Sequence, residues 1–298
     1  MSPPLIFDRA LIRRRLSRAA QGRPAAFLIA NVAEDLTERL KPILRGFPLA
    51  IDLGGATSHV AHALMQSGKI ERVLRLSALP SPVRDGFPSA VVDEETLPLA
   101  EASVDLVVSL LSLQGVNDLP GALAQIRRGL RPDGLFIACL LGGETLTELR
   151  QSLAEAEAEL SAGVSPRVAP FADARDLGAL LQRAGFALPV TDVEKLTVRY
   201  ANAFALMRDL RAMGMTNPLV ERTRAPLRRA ALLRAAQLYG ERFTDPDGRL
   251  RATFDLVWLS GWAPHESQQR PLRPGSAKTR LAEALGVAEI KAGEKAKP

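Results

Sequence analysis

Short apolar runs alternate with helix-like segments through the middle of this 298-residue chain. This alternation is typical of βαβ units packed around a parallel sheet, and it constrains the fold more than any other feature of the sequence. Between the last two runs, Leu123, Ile126 and Leu130 recur at helical spacing, which predicts a helix leading into a buried strand. The five predicted strands are 49–53, 72–76, 90–92, 104–110 and 135–141.

Helical patterns predominate on either side of these runs. An arginine-rich helical stretch near the C-terminal end contains two helix breakers, Gly214 and Pro218. The remaining predicted helices and strands are two helices within 8–44, helices at 145–160, 176–184 and 203–242, and strands at 190–200 and 253–259. The lysine-, alanine- and glutamate-rich end of the chain is predicted to be disordered.

The composition is that of an ordinary folded protein, with 47% hydrophobic and 24% charged residues. The longest apolar run, 135–141, is far shorter than the roughly 20 residues that a membrane-spanning helix needs, so no transmembrane segment is predicted. The first twenty residues lack the apolar core of a secretory signal. The single cysteine, Cys139, cannot form an internal disulfide, which favours a reducing compartment and a cytoplasmic location.

The charge is mildly positive, because 39 lysines and arginines exceed 33 acidic residues to give a net charge of +6. This excess is too small to indicate a nucleic-acid-binding protein. Arginines concentrate in 13–18 and in 222–234. Each cluster either faces an acidic partner or covers a solvated helix surface.

The first predicted strand leads into a candidate ligand site. Its acidic Asp52 is followed at once by Gly54, Gly55 and Ala56. Small side chains let a ligand approach the backbone at the carboxyl ends of parallel strands, where open α/β sheets bind ligands. A tight turn needed only for packing would have the same residues, so this segment alone does not distinguish a ligand site from a packing turn.

Three further segments follow in order: 92–99 with the acidic Asp93 and Glu94, 103–109, and 130–134 with the Pro-Asp-Gly turn. With them the chain resembles the class I S-adenosylmethionine-dependent methyltransferases, in particular the type 11 subgroup. Segments 7–9, 142–146 and 261–265 are similar to those of bacterial relatives of a methyltransferase-fold mitochondrial complex I assembly factor. That factor is associated with arginine hydroxylation, and the malonyl-carrier-protein methyltransferase of biotin synthesis is a more distant relative.

The resemblance implies an α/β fold with a doubly wound, mostly parallel, seven-stranded Rossmann-like sheet, N-terminal helices and a helical lid insertion. Because it extends to the first residues, a cleavable transit peptide is not expected. The implied organisation is an N-terminal helical flank at 1–45, a cofactor-binding core at 46–200, an arginine-rich helical insertion at 201–252, a final strand and C-terminal loop at 253–276, and a polar tail at 277–298.

The resemblance also implies the cofactor, S-adenosylmethionine, and the residues that would bind it. Asp52 would order the glycine loop, while Gly54, Gly55 and Ala56 would line the methionine portion. Asp93 would accept a hydrogen bond from the adenine amino group, with Glu94 beside it and Ser109 beneath the cofactor. A carboxylate suits an amine because it only accepts hydrogen bonds. The alternative for 93–95 is a solvated acidic loop.

The sequence departs from the family pattern at several of these positions. The glycine loop has Ala56 and Ser58 where glycines are usual, and an alanine at positive φ would be strained. The second strand ends in Ser77, where the family has an acidic residue that holds the ribose hydroxyls. Relatives tend to carry an Asn and a His-Trp pair where this chain has Leu110 and Gln114-Gly115.

Three functions remain open from the sequence. The first is a methyltransferase-family enzyme acting on a protein substrate, with a complex I subunit as the candidate and arginine hydroxylation as an alternative reaction. The second is a binding or assembly protein on the same scaffold without turnover, because the departures cluster around one pocket. The third, an RNA methyltransferase, has only the net charge in its favour. No catalytic residue is assigned, and His59 and His62 lack the further ligands that a metal site needs.

Overall fold

The computed structural model describes residues 5–80, 86–160 and 163–269, and the single positions 283, 286 and 287. The chain divides into a large unit, Met1–Pro264, and a C-terminal unit, His265–Pro298. Within the C-terminal unit, the Gln268 N–H donates to the His265 carbonyl over 3.2 Å and closes a turn. The predicted polar tail, 277–298, lies outside the described residues apart from the three single positions.

A seven-stranded sheet forms the centre of the large unit, in the order β3-β2-β1-β4-β5-β7-β6. The strands β1 to β5 pair in parallel, and β7 runs antiparallel to both of its neighbours. This arrangement confirms the predicted mostly parallel sheet. The strands are β1 Phe47–Leu53, β2 Ile70–Ser77, β3 Ser89–Val91, β4 Val104–Leu110, β5 Leu130–Leu141, β6 Ala187–Tyr200 and β7 Leu250–Trp262.

Eight helices flank the sheet in the described part of the chain. They are α1 Arg9–Gln21, α2 Phe27–Leu40, α3 His59–Gln66, α4 Leu119–Gly129, α5 Thr147–Leu160, α6 Ala174–Arg183, α7 Ala203–Ala212 and α8 Arg229–Phe243. None of them is both long and apolar enough to cross a membrane.

The arginine-rich stretch differs most from its prediction. The sequence predicted helix over 203–242, whereas residues 213–228 are not helical and separate α7 from α8. Gly214, at φ +75°, and Pro218 lie in this connection, in agreement with their role as breakers. The last strand begins at Leu250, inside the segment predicted as insertion, because it pairs along its length with the long β6.

Local capping explains where several helices start. The Asp8 carboxylate accepts from the Leu11 N–H over 2.9 Å, and Asp118 does the same for Gly121 at the start of α4. Asn202 caps α7 through Ala205 over 2.9 Å. Each side chain satisfies a backbone N–H that the first helical turn leaves without a partner.

Two hydrophobic cores cover the two faces of the sheet. One packs the sheet against α2, α3, α5, α7 and α8, and the other packs it against α4 and α6. Neighbouring residues of β5 show the division, because Phe136 faces the second core and Ile137 the first. All seven residues of β4 are buried, as expected for a central parallel strand.

Candidate active site

A cavity of about 710 Å³ lies at the carboxyl ends of the parallel strands. Its walls come from the loops after β1, β2, β4 and β5, and from α1, α2, α5 and α7. A volume of this size is typical of small-molecule sites, which fall at roughly 300–1,000 Å³. The cavity is therefore where the sequence predicted ligand binding.

The turn after β1 is the first part of this site. Gly54 has φ +79°, and its N–H donates to the Leu76 carbonyl over 2.6 Å, which joins the turn to β2. A β-carbon on Gly54 would overlap the Ser112 side chain. Ala56 is not among the described residues with positive φ, and Ser58 has φ −81°, so these two departures from glycine cause no backbone strain.

A buried ion pair supports the turn from below. Asp52 and Arg75 are partners in the β1–β2 register, and Arg75 Nε lies 3.2 Å from Asp52 Oδ2. Arg75 also donates to the Gly55 carbonyl over 3.1 Å. A β-carbon on Gly55 would lie 2.5 Å from Asp52 Oδ1, so this position needs a glycine. Burial raises the pKa of Asp52 to about 6, although the Arg75 charge acts in the opposite direction.

The two predicted adenine-site acids are paired with arginines of α1. The Arg9 guanidinium contacts Glu94, and its Nη2 lies 3.1 Å from Asp93 Oδ1. Arg13 contacts the other oxygen of Asp93. Burial alone would raise the pKa of Asp93, but the backbone N–H of Glu95 and the charges of Arg9 and Arg13 together hold it below its usual value.

The seven predicted cofactor-binding residues do not all lie at the cavity wall. Glu94, Gly54 and Ala56 line the cavity, whereas Asp52, Gly55, Asp93 and Ser109 are not among its described lining residues. Ser109 is fully buried in β4, and its hydroxyl has no hydrogen-bond partner among the described residues. The structure thus brings three of the seven to the cavity wall and leaves the cofactor role of all seven as a prediction.

The loop after β4 completes the floor of the cavity. Gln114 lines the cavity and donates through Nε2 to the Leu111 carbonyl over 2.8 Å. Its Oε1 is buried and has no hydrogen-bond partner in the described part of the chain. Leu111 and Leu146 both line the cavity with φ +55°, a conformation that costs about 1–3 kcal/mol in a residue other than glycine. Such strain concentrates at functional sites.

Sequence reasoning missed four residues that shape this site: Arg9, Arg13, Arg75 and Ser112. The arginines of α1 were interpreted only as a solvated or partner-facing cluster. A charged residue within an apolar strand, as at Arg75, is the signal that could have revealed the buried pair. Ser77 lines the cavity and donates to the Leu79 carbonyl over 2.6 Å, so no carboxylate is supplied at this strand end.

Comparison with known proteins identifies the family. A model for the methyltransferase domain matches residues 51–138. The arginine-hydroxylase NDUFAF5 of Homo sapiens is 43% identical over 286 residues, covering 93% of this chain and 83% of that protein. The Danio rerio protein of the same name is 37% identical and covers 97% and 92%. The chain belongs to the NDUFAF5 family.

More distant proteins agree with this family and its fold. The malonyl-[acyl-carrier protein] O-methyltransferase of Xylella fastidiosa is 34% identical, over 87% of this chain and 89% of that protein. The solved structure of YcgJ from Bacillus subtilis has a TM-score of 0.53 at 13% identity and covers 78% of this chain and 98% of its own. This NDUFAF5-family chain therefore has the methyltransferase fold, and the cofactor of its class is S-adenosylmethionine.

Proposed function

We propose that this chain is a cytoplasmic, S-adenosylmethionine-dependent enzyme that acts on a protein partner in the assembly of respiratory complex I. The observation that carries the proposal is the continuous cavity of about 710 Å³ between the Gly54 turn and the helices α1, α5 and α7. The relatives at 37–43% identity are named arginine-hydroxylases, which supports an arginine side chain of a protein as one substrate class.

The volume of the cavity suits the cofactor, and one hydrogen-bond acceptor that lines the cavity, Gln114 Oε1, has no partner among the described residues. Gly54 and Ala56 would hold the methionine portion, Ser77 the ribose, and Glu94 and Gln114 the base. The unpartnered Gln114 Oε1 is an acceptor that an exocyclic amine can satisfy. When bound, the cofactor supplies an electrophilic methyl group on a sulfonium centre. The chain's own contribution is to hold the reactants in line and to exclude water, which requires no dedicated base.

Two features predict weak cofactor binding. Ser77 offers one neutral hydroxyl where a carboxylate would accept from both ribose hydroxyls, a loss of about 1.5–3 kcal/mol or one to two decades in affinity. Asp93 already accepts from Arg9, Arg13 and the Glu95 N–H, so an adenine amine would share its oxygens with two cations.

The same arginine contacts favour a second candidate function. Arg9 and Arg13 of α1 already pair with Asp93 and Glu94, so these carboxylates need no bound nucleoside to be stable. This is the arrangement expected of a binding or assembly protein without turnover. In that case the scaffold would contribute its surface to complex I assembly, and the cavity would have no catalytic role.

Calorimetric titration with S-adenosylmethionine and S-adenosylhomocysteine separates the two functions. Saturable binding that Glu94→Gln weakens at least about tenfold supports the enzyme. Glu101→Gln is the matched control, because Glu101 is exposed and is not among the described cavity-lining residues. No binding at millimolar ligand would refute the enzymatic proposal and leave the assembly protein. A reaction with a complex I subunit peptide, followed by mass spectrometry, then distinguishes a gain of 14 Da from one of 16 Da.

A further inference from the structure

The part of the cavity beyond the strand ends is an apolar chamber. It lies between α5, α7 and the loop that follows β5. Its wall is formed by Leu146, Leu149, Leu153, Met207, Leu210 and Met213. The four leucines are at most 7% exposed, and the two methionines are partly buried. Unbranched methionine side chains adapt to ligands of irregular shape.

The charges around the cavity are unequal. Five arginines line it, against a single carboxylate, Glu94, among the described residues. Arg9, Arg13 and Arg167 pair with Glu94, Asp93 and Glu157 respectively. No ion pair is present in the described part of the chain for the other two lining arginines, Arg15 and Arg211.

Arg15 is the better placed of these two. It is partly buried on α1, and it donates to the backbone carbonyls of Thr216 and Asn217, which also line the cavity. Burial lowers its pKa, and the nearby positive charges of Arg222, Arg18 and Arg14 lower it further, while Asp8 opposes them. Because Asp8 is itself paired with Arg222, the positive charge around Arg15 exceeds the negative charge.

We infer that the cavity binds an amphiphilic anion, an acyl chain with a carboxylate head, with the head at Arg15 and Arg211 and the chain in the apolar chamber. A guanidinium binds a carboxylate through charge-assisted and frequently bidentate hydrogen bonds, and an alkyl chain gains free energy by leaving water for the leucine and methionine walls. The inference goes beyond the proposed function, because it requires neither the cofactor nor turnover.

The head-group preference can be tested by calorimetry on the full chain without cofactor. The probes are decanoate, decanol and decyltrimethylammonium, which share an alkyl chain and differ in charge. We expect saturable binding of one decanoate per chain below its micelle concentration, at least about tenfold tighter than decanol, with no binding of the cation. Equal binding of all three probes, or no binding of decanoate, would overturn the inference.

Variants test the two halves of the site separately. Arg15→Gln should weaken decanoate by about tenfold to a hundredfold and leave decanol unchanged, whereas Arg15→Lys should retain most of the affinity. Arg175→Gln, at an exposed position on α6 that is not among the described lining residues, is the control. Met207→Trp should fill the chamber and weaken decanoate and decanol alike, with Met65→Trp on the exposed part of α3 as its control.

Thermal unfolding of each variant shows whether it is folded. If Arg15→Gln does not fold, Arg211→Gln replaces it, because Arg211 is exposed and its substitution disturbs no buried group. Unchanged decanoate affinity in folded Met207→Trp would refute the chamber, and unchanged affinity in the folded arginine variant would refute the head-group site. Neither outcome bears on S-adenosylmethionine binding, so the proposed function is judged independently.

Discussion

Single residues around the first strand show how closely the turn is specified. Gly54 requires a left-handed backbone and space occupied by Ser112, and Gly55 requires the absence of a β-carbon beside Asp52. Ala56 stands where the family usually has a glycine, but it is not among the described residues with positive φ, so its methyl group causes no backbone strain. The turn is therefore intact although two of its usual glycines are missing.

Replacing Gly54 by alanine should destabilise the protein by more than about 2 kcal/mol, because a left-handed alanine and a displaced Ser112 both cost free energy. Urea unfolding measures the change. Gly143→Ala is the control, since among the described residues only Gly143 itself and its chain neighbours have atoms within 4 Å of the added β-carbon, and it should stay within about 0.5 kcal/mol of the parent. Equal effects of the two substitutions would contradict this account of the turn.

The buried Asp52 gives a second prediction at this scale. Its pKa of about 6 in the folded state exceeds the usual aspartate pKa of about 3.9, so the native state binds more protons than the unfolded state between these values. The contribution of Asp52 to the free energy of unfolding is therefore largest below pH 4, and it falls by roughly 2–4 kcal/mol as the pH rises through 6.

Asp52→Asn has no group that titrates in this range, so the free energy of unfolding of the parent minus that of this variant should fall by roughly 2–4 kcal/mol from pH 4 to pH 7. Urea unfolding of both proteins at several pH values measures it. If the stability of the parent relative to the variant instead rose with pH, Arg75 would be holding the pKa of Asp52 below its usual value in the folded state.

At the scale of secondary-structure elements, α1 is attached to the sheet mainly by polar contacts. None of its residues is buried, yet Arg9 joins it to Glu94 and also donates to the Gly115 carbonyl over 3.1 Å. The segment before α1 adds a bridge between Phe7 and Leu219. The helix and the segment before it are thus held over the cavity by contacts with three distant segments of the chain, and one of these contacts is an ion pair.

Arg9→Gln should cost roughly 2–4 kcal/mol in free energy of unfolding, because Glu94 is only 3% exposed and would lose its charged partner. Arg13→Gln should cost less than about 1 kcal/mol, since both members of its pair are more than one-third exposed. Hydrogen exchange of α1 should accelerate in Arg9→Gln and remain unchanged in Arg14→Gln, the exposed neighbour. Slow exchange of α1 in Arg9→Gln would show that other contacts hold the helix.

At the scale of the whole molecule, the cavity joins segments from most of the large unit, from Phe7 to Leu232. A ligand bound there contacts both the sheet and the helices above it. Ligand binding to the folded state therefore stabilises the whole unit.

S-adenosylhomocysteine at a hundred times its dissociation constant should stabilise the protein by about 2.7 kcal/mol and raise the thermal midpoint by roughly 3–6 °C. Intrinsic fluorescence of the two tryptophans, Trp258 and Trp262, followed during heating, measures this shift. Adenosine at the same concentration, which lacks the methionine portion, should give a smaller shift. A midpoint that is independent of S-adenosylhomocysteine would count against a cofactor site in the cavity.

The fold class, the central strands and the family could all be predicted from the amino-acid sequence. Alternating apolar runs and the motifs around Asp52, Asp93 and the Pro-Asp-Gly turn are local patterns, and hydrophobic periodicity acts within a few residues along the chain. The predicted 104–110 strand agrees with β4 at both ends.

The charges that meet at the cavity could not be predicted in this way, because they come from segments that are far apart in the chain. Arg9 contacts Glu94, Arg75 pairs with Asp52 and Arg15 faces the loop at Thr216, across separations of 85, 23 and 201 residues. An arginine in a sequence carries no indication of its partner, because its long side chain pairs with whichever carboxylate or carbonyl the packing of the helices brings near.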